Sequence, residues 1–88
     1  MALTRSQFVH AGLARVYMGA SSASIATALE GRCRRVLFQI ESATQPDDPN
    51  LPGMGYRKSG AVHSLDVNGS YRISYEWRKG QAADIDYG

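Results

Sequence analysis

The sequence predicts an α+β domain, with two N-terminal helices packed on one face of a small antiparallel sheet. Three observations predict it. Apolar residues recur at three- and four-residue steps up to about residue 43. A breaker segment, Thr44 to Gly53, carries all three prolines of the chain. Beyond it the apolar residues alternate with period two. A helical period followed by a strand period, with no return to helix, places helices on one side of a meander rather than between parallel strands.

The chain has 88 residues, enough for one domain with a modest core. A 43 % hydrophobic and 9 % aromatic content suits a folded chain rather than a disordered one. The net charge of +2 permits a nucleic-acid partner without arguing for one. Eight of the ten cations are arginine, the planar fork suited to phosphate and carboxylate. The single cysteine, Cys33, has no partner within the chain, and no Cys/His spacing resembles a zinc site. No metal and no cofactor is expected. With no apolar run long enough for a signal peptide or a membrane span, a cytoplasmic protein with no membrane partner is expected.

Residues 1–8 read as a short lead, one strand ending at Phe8. Residues 10–18 put Leu13, Val16 and Tyr17 on one helical face, and Gly19 suits the left-handed residue that closes a helix. His10 falls at the helix start, in a structural or capping place. Ser21, Ser22 and Ser24 are N-cap candidates for a second helix from about Ala23 to Ala43. On that helix Ile25, Leu29, Cys33, Val36, Leu37 and Ile40 form one apolar stripe, so Cys33 reads as core. Arg32, Arg34, Arg35, Gln39 and Phe38 lie on the other side. Prolines and aspartates at 44–53 end the helix and forbid a central strand.

The run Ser64 to Trp77 is the most informative stretch. Leu65, Val67, Tyr71, Ile73, Tyr75 and Trp77 share odd parity with Ala61 and His63, which makes His63 a core-edge histidine. Asp66, Arg72, Ser74 and Glu76 share the other face. A two-residue turn at Asn68-Gly69 would set Leu65 against Arg72 and mix the faces, a costly slip. A three-residue loop, Asn68-Gly69-Ser70, pairs Val67 with Tyr71, Leu65 with Ile73 and Asp66 with Arg72. At the next turn, a three-residue loop Arg78-Lys79-Gly80 with glycine third pairs Trp77 with Gln81, Tyr75 with Ala83 and Ile73 with Ile85. Ser74 then meets Asp84, and Arg72 meets Asp86. Arg72 is therefore expected between Asp66 and Asp86. It is either a cross-strand ion pair, worth about 0.2–1 kcal/mol per contact, or a phosphate ligand.

These residues carry a family resemblance. Phe8-Val9-His10-Ala11-Gly12-Leu13, Gln39 to Gly53, Ser64 to Ile73 and Gly80 to Tyr87 together resemble the HigB type of plasmid-maintenance killer protein, a RelE-like toxin of toxin–antitoxin systems. The resemblance spans nearly the whole chain as a single toxin domain. Its pieces are weakly specific alone and fairly specific in order and spacing. It implies cleavage of mRNA in the ribosomal A site by a cytoplasmic mRNA endonuclease, with mRNA and the ribosome as partners. It also implies a HigA-type helix-turn-helix antitoxin as partner.

RNA cleavage by its own 2′-hydroxyl needs a base, a leaving-group acid and cations on the phosphate. The resemblance puts Arg72 on the family's strand arginine, and Arg57 or Lys58 on its loop cations. Asp86 and Tyr87 take proton-transfer and base-stacking roles if they match the family's final Asp-Tyr. Arg72, Asp86 and Tyr87 are thus the catalytic candidates, and Arg57, Lys58 and Arg72 the RNA-binding ones. Two departures stand out. The basic stretch before the Asn-Gly turn is shortened to 54–63, and the family's common final Asp-Tyr-His is either missing, in an ungapped alignment, or matched by Asp86-Tyr87 with Gly88 in place of the histidine, in one gapped by three. The alternative they raise is a catalytically weakened or inactive homologue that acts as an antitoxin-binding module.

Overall fold

The computed structural model describes residues 3–88. A 3-10 turn at Arg5–Gln7 is followed by α1 (Ala11–Tyr17) and α2 (Thr27–Ser42). Four strands follow: β1 (Arg57–Ser59), β2 (Val62–Asp66), β3 (Arg72–Arg78) and β4 (Gln81–Tyr87). They form one antiparallel sheet in the order β1-β2-β3-β4. The expected α+β arrangement is present.

The core lies where the two helices meet one face of the sheet. Leu13 and Val16 of α1, Cys33, Val36, Leu37 and Ile40 of α2, and Leu65, Ile73, Tyr75 and Ile85 of the sheet are all buried in one cluster. The α2 stripe therefore packs as its period demands. The outer sheet face holds Ser64, Asp66, Arg72, Ser74, Glu76 and Asp86, none of them buried.

The helix starts differ from expectation in one case. His10 caps α1, its Nδ1 accepting from the Leu13 backbone N–H at 2.9 Å. The second helix begins at Thr27, not Ala23, and no serine caps it. Instead the Ser22 hydroxyl accepts from the Ser24 N–H at 3.3 Å, a local turn that competes with helix. Ile25 still reaches the core from that turn. The α2 exit is closed by Asp48, whose Oδ2 accepts from the Thr44 N–H at 2.7 Å, the Thr44 hydroxyl at 2.9 Å and the Gln45 N–H at 3.1 Å. These donors hold the Asp48 carboxyl below its ordinary range.

The lead strand ending at Phe8 is reduced to a single parallel bridge, Phe8 to Ile85. Its first two residues lie outside the described ones. The Gln7 side chain donates to the Ala82 carbonyl at 2.8 Å, so the outer edge of β4 is partly covered.

The β2–β3 register is the expected one: Leu65 pairs with Ile73 and Asp66 with Arg72. Val67 N–H donates to the Tyr71 carbonyl at 3.0 Å across the three-residue loop. Asn68 Oδ1 accepts from both Ser70 N–H and Tyr71 N–H at 2.8 Å.

The β3–β4 register is not the expected one. Arg78 pairs with Gln81, so the turn holds two residues, Lys79 and Gly80, both left-handed at φ 53° and 78°. This is a type I′ turn, whose twist matches that of the flanking strands. Trp77 therefore pairs with Ala82, not Gln81. A bulge then sets Asp84 and Ile85 against Tyr75, with Asp84 at φ 50°. Beyond it Ser74 pairs with Asp86 and Ile73 with Tyr87. The bulge restores the apolar parity that the shorter turn would have inverted.

Candidate functional site

The outer sheet face is built by strand parity. Arg57, Ser64, Ser74 and Asp86 form one row across all four strands. Asp66 and Arg72 form the next, and there Arg72 exchanges backbone hydrogen bonds with Gly88 at 2.9 and 3.0 Å.

Arg72 is fully engaged. Nη1 donates to Asp66 Oδ1, and Nε and Nη2 donate to the Ser64 hydroxyl at 3.1 and 2.9 Å. Nη2 also donates to the Gly55 carbonyl at 2.7 Å. The chain folds back here because Gly55 adopts φ +63°, and a Cβ at that position would run into the Asp66 carboxylate. Gly55 thus supplies both an acceptor and the room for the ion pair. No signal in the local pattern marks it, because its role depends on a residue eleven positions later.

Asp86 does not flank Arg72. With Gly88 opposite Arg72, Asp86 sits diagonally one row away, exposed, with Oδ1 accepting from the Tyr87 N–H at 2.8 Å. Tyr87 points to the opposite face, as the next residue of a strand must. Of the three catalytic candidates, Arg72 and Asp86 share a face and Tyr87 does not.

The two loop cations are also divided. Arg57 pairs with Ser64 and lies on the Arg72 face, whereas Lys58 pairs with His63 and projects to the helix side. Arg57 therefore shares a face with Arg72, and Lys58 does not. A second ionic cluster lies near the bulge, where Arg78 contacts Glu76 at 3.2 Å and also pairs with Asp84. The Arg78 guanidinium donates to the Asp84 carboxylate and holds it below its ordinary range. Val9, Val62, Ser74, Glu76, Asp84 and Asp86 line an open depression of about 320 Å³ on this side.

The histidines have structural environments. His63 is buried, stacked on Tyr75 at 5.3 Å and hydrogen-bonded through Nδ1 to the Tyr56 hydroxyl at 2.7 Å. Burial, and secondarily the nearby Lys58, lowers its pKa below the ordinary 6.5. Cys33 is fully buried, and burial pushes its thiol up to about 11. Among the described residues no group of three His, Cys, Asp or Glu side chains could hold a metal ion, and no helix is long and apolar enough to cross a membrane.

Sequence reasoning also missed an aromatic stack. Tyr71 and Tyr87 stack with ring centroids 5.1 Å apart and planes within 6°, and His10 meets Tyr87 edge-on at 5.5 Å. Two odd-numbered tyrosines near the ends of paired strands were the available signal. The corrected register makes them diagonal neighbours.

The chain matches no protein-family model and no curated protein.

Proposed function

We propose that this chain is the toxin of a type II toxin–antitoxin pair, resembling the RelE-like HigB type, and that it cleaves mRNA in the ribosomal A site. The observation that carries the reading is an arginine fixed at the start of β3 on a sheet face that no helix among the described residues covers, with Arg57 one strand beyond Ser64 on the same face. In this reading Arg72 and Arg57 neutralise the scissile phosphate. Asp86, exposed on that face, takes a proton, and Tyr87 serves base stacking from the helix side as the support under Tyr71. An RNA phosphate binds Arg72 by displacing Asp66, since the fork suits either anion. The partners are mRNA, the ribosome and a HigA-type helix-turn-helix antitoxin, all in the cytoplasm.

A second reading is an antitoxin-binding module that no longer cuts. What favours it is the occupancy of Arg72, whose three nitrogens are all spent on Asp66, Ser64 and Gly55. Induced expression in a bacterial host with primer extension on a translated message separates the two. Growth arrest with cuts inside codons, lost in Arg72→Ala, supports the nuclease. An intact message, with the chain retained on a neighbouring helix-turn-helix protein, supports the module. Neither cuts nor such a partner would refute both.

A further inference from the structure

The three rings His10, Tyr87 and Tyr71 form a stack that ends in an open face. His10 is held by its capping bond: Nδ1 accepts from Leu13 N–H, which leaves the proton of the neutral ring on Nε2. Its ring meets Tyr87 at 61°, the edge-to-face arrangement that places a positive edge on a negative π-face. Tyr87 in turn lies parallel to Tyr71. Tyr71 is 42 % exposed.

The Tyr71 backbone is held on both sides, and its ring is packed against Tyr87. Its carbonyl accepts from Val67 N–H at 3.0 Å and Asn68 N–H at 3.2 Å, and its own N–H donates to Asn68 Oδ1. A large aromatic fixed this tightly with one face in water is a stacking surface already in its bound geometry. Little conformational entropy is left to lose when a second planar group covers it. Arg72 follows Tyr71 directly and points to the opposite face of the sheet. A nucleic-acid strand crossing this end of the sheet meets a ring on one side and a guanidinium on the other.

From this we infer that Tyr71 is a positioning residue that stacks on an unpaired RNA base, with Tyr87 and His10 as its backing. The inference rests on the proposed action on mRNA and names a residue that the family resemblance did not assign. It is tested with bacterial ribosomes programmed with a message carrying 2-aminopurine at each A-site codon position in turn. Binding of the chain is followed by quenching of that base and by its apparent affinity for the programmed ribosome. Tyr71→Phe keeps the π-face and should quench as the parent does. Tyr71→Leu keeps apolar bulk without a ring, and should lose quenching at one codon position and weaken binding by roughly tenfold to a hundredfold. Circular dichroism of both variants checks the fold. If Tyr71→Leu quenches, binds and cuts like the parent, the stacking role is overturned and the nuclease reading stands. If the parent chain does not bind programmed ribosomes, both are overturned.

Discussion

Replacing Arg72 and Asp66 singly and together measures how firmly the central arginine is held. The Arg72 side chain is 24 % exposed and that of Asp66 43 %. The pair is therefore neither a buried ion pair nor a free surface one. Exposed pairs couple by about 0.2–1 kcal/mol, and this one sits at the upper end because the fork is fixed by further acceptors. The bonds to Ser64 and the Gly55 carbonyl contribute about 0.5–1 kcal/mol each after solvent competition. Arg72→Ala should therefore cost about 2–3 kcal/mol, summing the ion pair and both acceptors. Asp66→Ala should cost less, about 1 kcal/mol, because Arg72 keeps Ser64 and Gly55. The double-mutant cycle should return a coupling of about 1 kcal/mol. Urea unfolding followed by Trp77 fluorescence provides the assay, with equal slopes across the four proteins as the check on a shared unfolded state. A coupling below about 0.3 kcal/mol would refute the lock and leave Arg72 free. The lock also has a functional sign. Asp66→Asn lowers the competition for Arg72, so in the nuclease reading it should raise the yield of cut message while lowering stability.

Three further outcomes follow from the same structure. Because burial lowers the His63 pKa below the ordinary 6.5, the folded chain binds fewer protons than the unfolded one as pH falls through that value. Stability should be complete above pH 6.5 and decline below it; His63→Phe should flatten the urea midpoint between pH 7.5 and 5.5. Cys33, buried with its thiol at about 11, should resist a thiol reagent at pH 8 in the folded chain and react at once in denaturant. Lys79 occupies the first left-handed position of the type I′ turn, so Lys79→Asn should raise stability by about 0.5 kcal/mol in thermal unfolding.

Periodicity made much of the fold legible. The α2 stripe from Cys33 to Ile40 and the Leu65–Ile73 pairing both follow from hiding one face, and every buried member enforces the same answer. The second hairpin was less legible because two local choices offset each other. A turn one residue shorter than expected shifts the register by one residue, and the bulge at Asp84 shifts it by one more, so parity returns beyond it while each pairing lies two residues from the expected one. The alternation in 81–87 shows this only in the three-residue step between the buried Ala82 and Ile85. The candidate site depends on that hairpin, so its error carried through: Asp86 was placed against Arg72, where Gly88 in fact lies. The role of Gly55 was not legible at all, since it needs the Asp66 carboxylate in place. The serine-rich run before α2 misled for a different reason. Ser22 and Ser24 satisfy each other locally and leave the helix N-terminus to Ala26.

The charge pattern of the two halves bears on how RNA and a protein partner would divide the surface. The segment up to Ala43 carries five arginines against two glutamates; the remainder carries five cations against six carboxylates. On the outer sheet face Arg72 and Arg78 are each paired with acids, whereas Arg57 makes no ion pair among the described residues. Long-range attraction for a polyanion therefore arises mainly from the helical layer, where Arg15, Arg32 and Arg35 make no ion pair among the described residues. In the nuclease reading the sheet face would bind its phosphate locally, through exchange of Asp66 for a phosphate oxygen at a guanidinium already held in place. Such an exchange costs little reorganisation of Arg72, because the strand and Ser64 keep the fork aimed while one anion replaces another. The ion pair that weighs against catalysis in the unliganded chain is, on this argument, the same feature that preorganises Arg72 for it. Salt should separate the two contributions: raising ionic strength should weaken docking through the arginines of the helical layer, while Asp66→Asn should strengthen the local contact at any given salt.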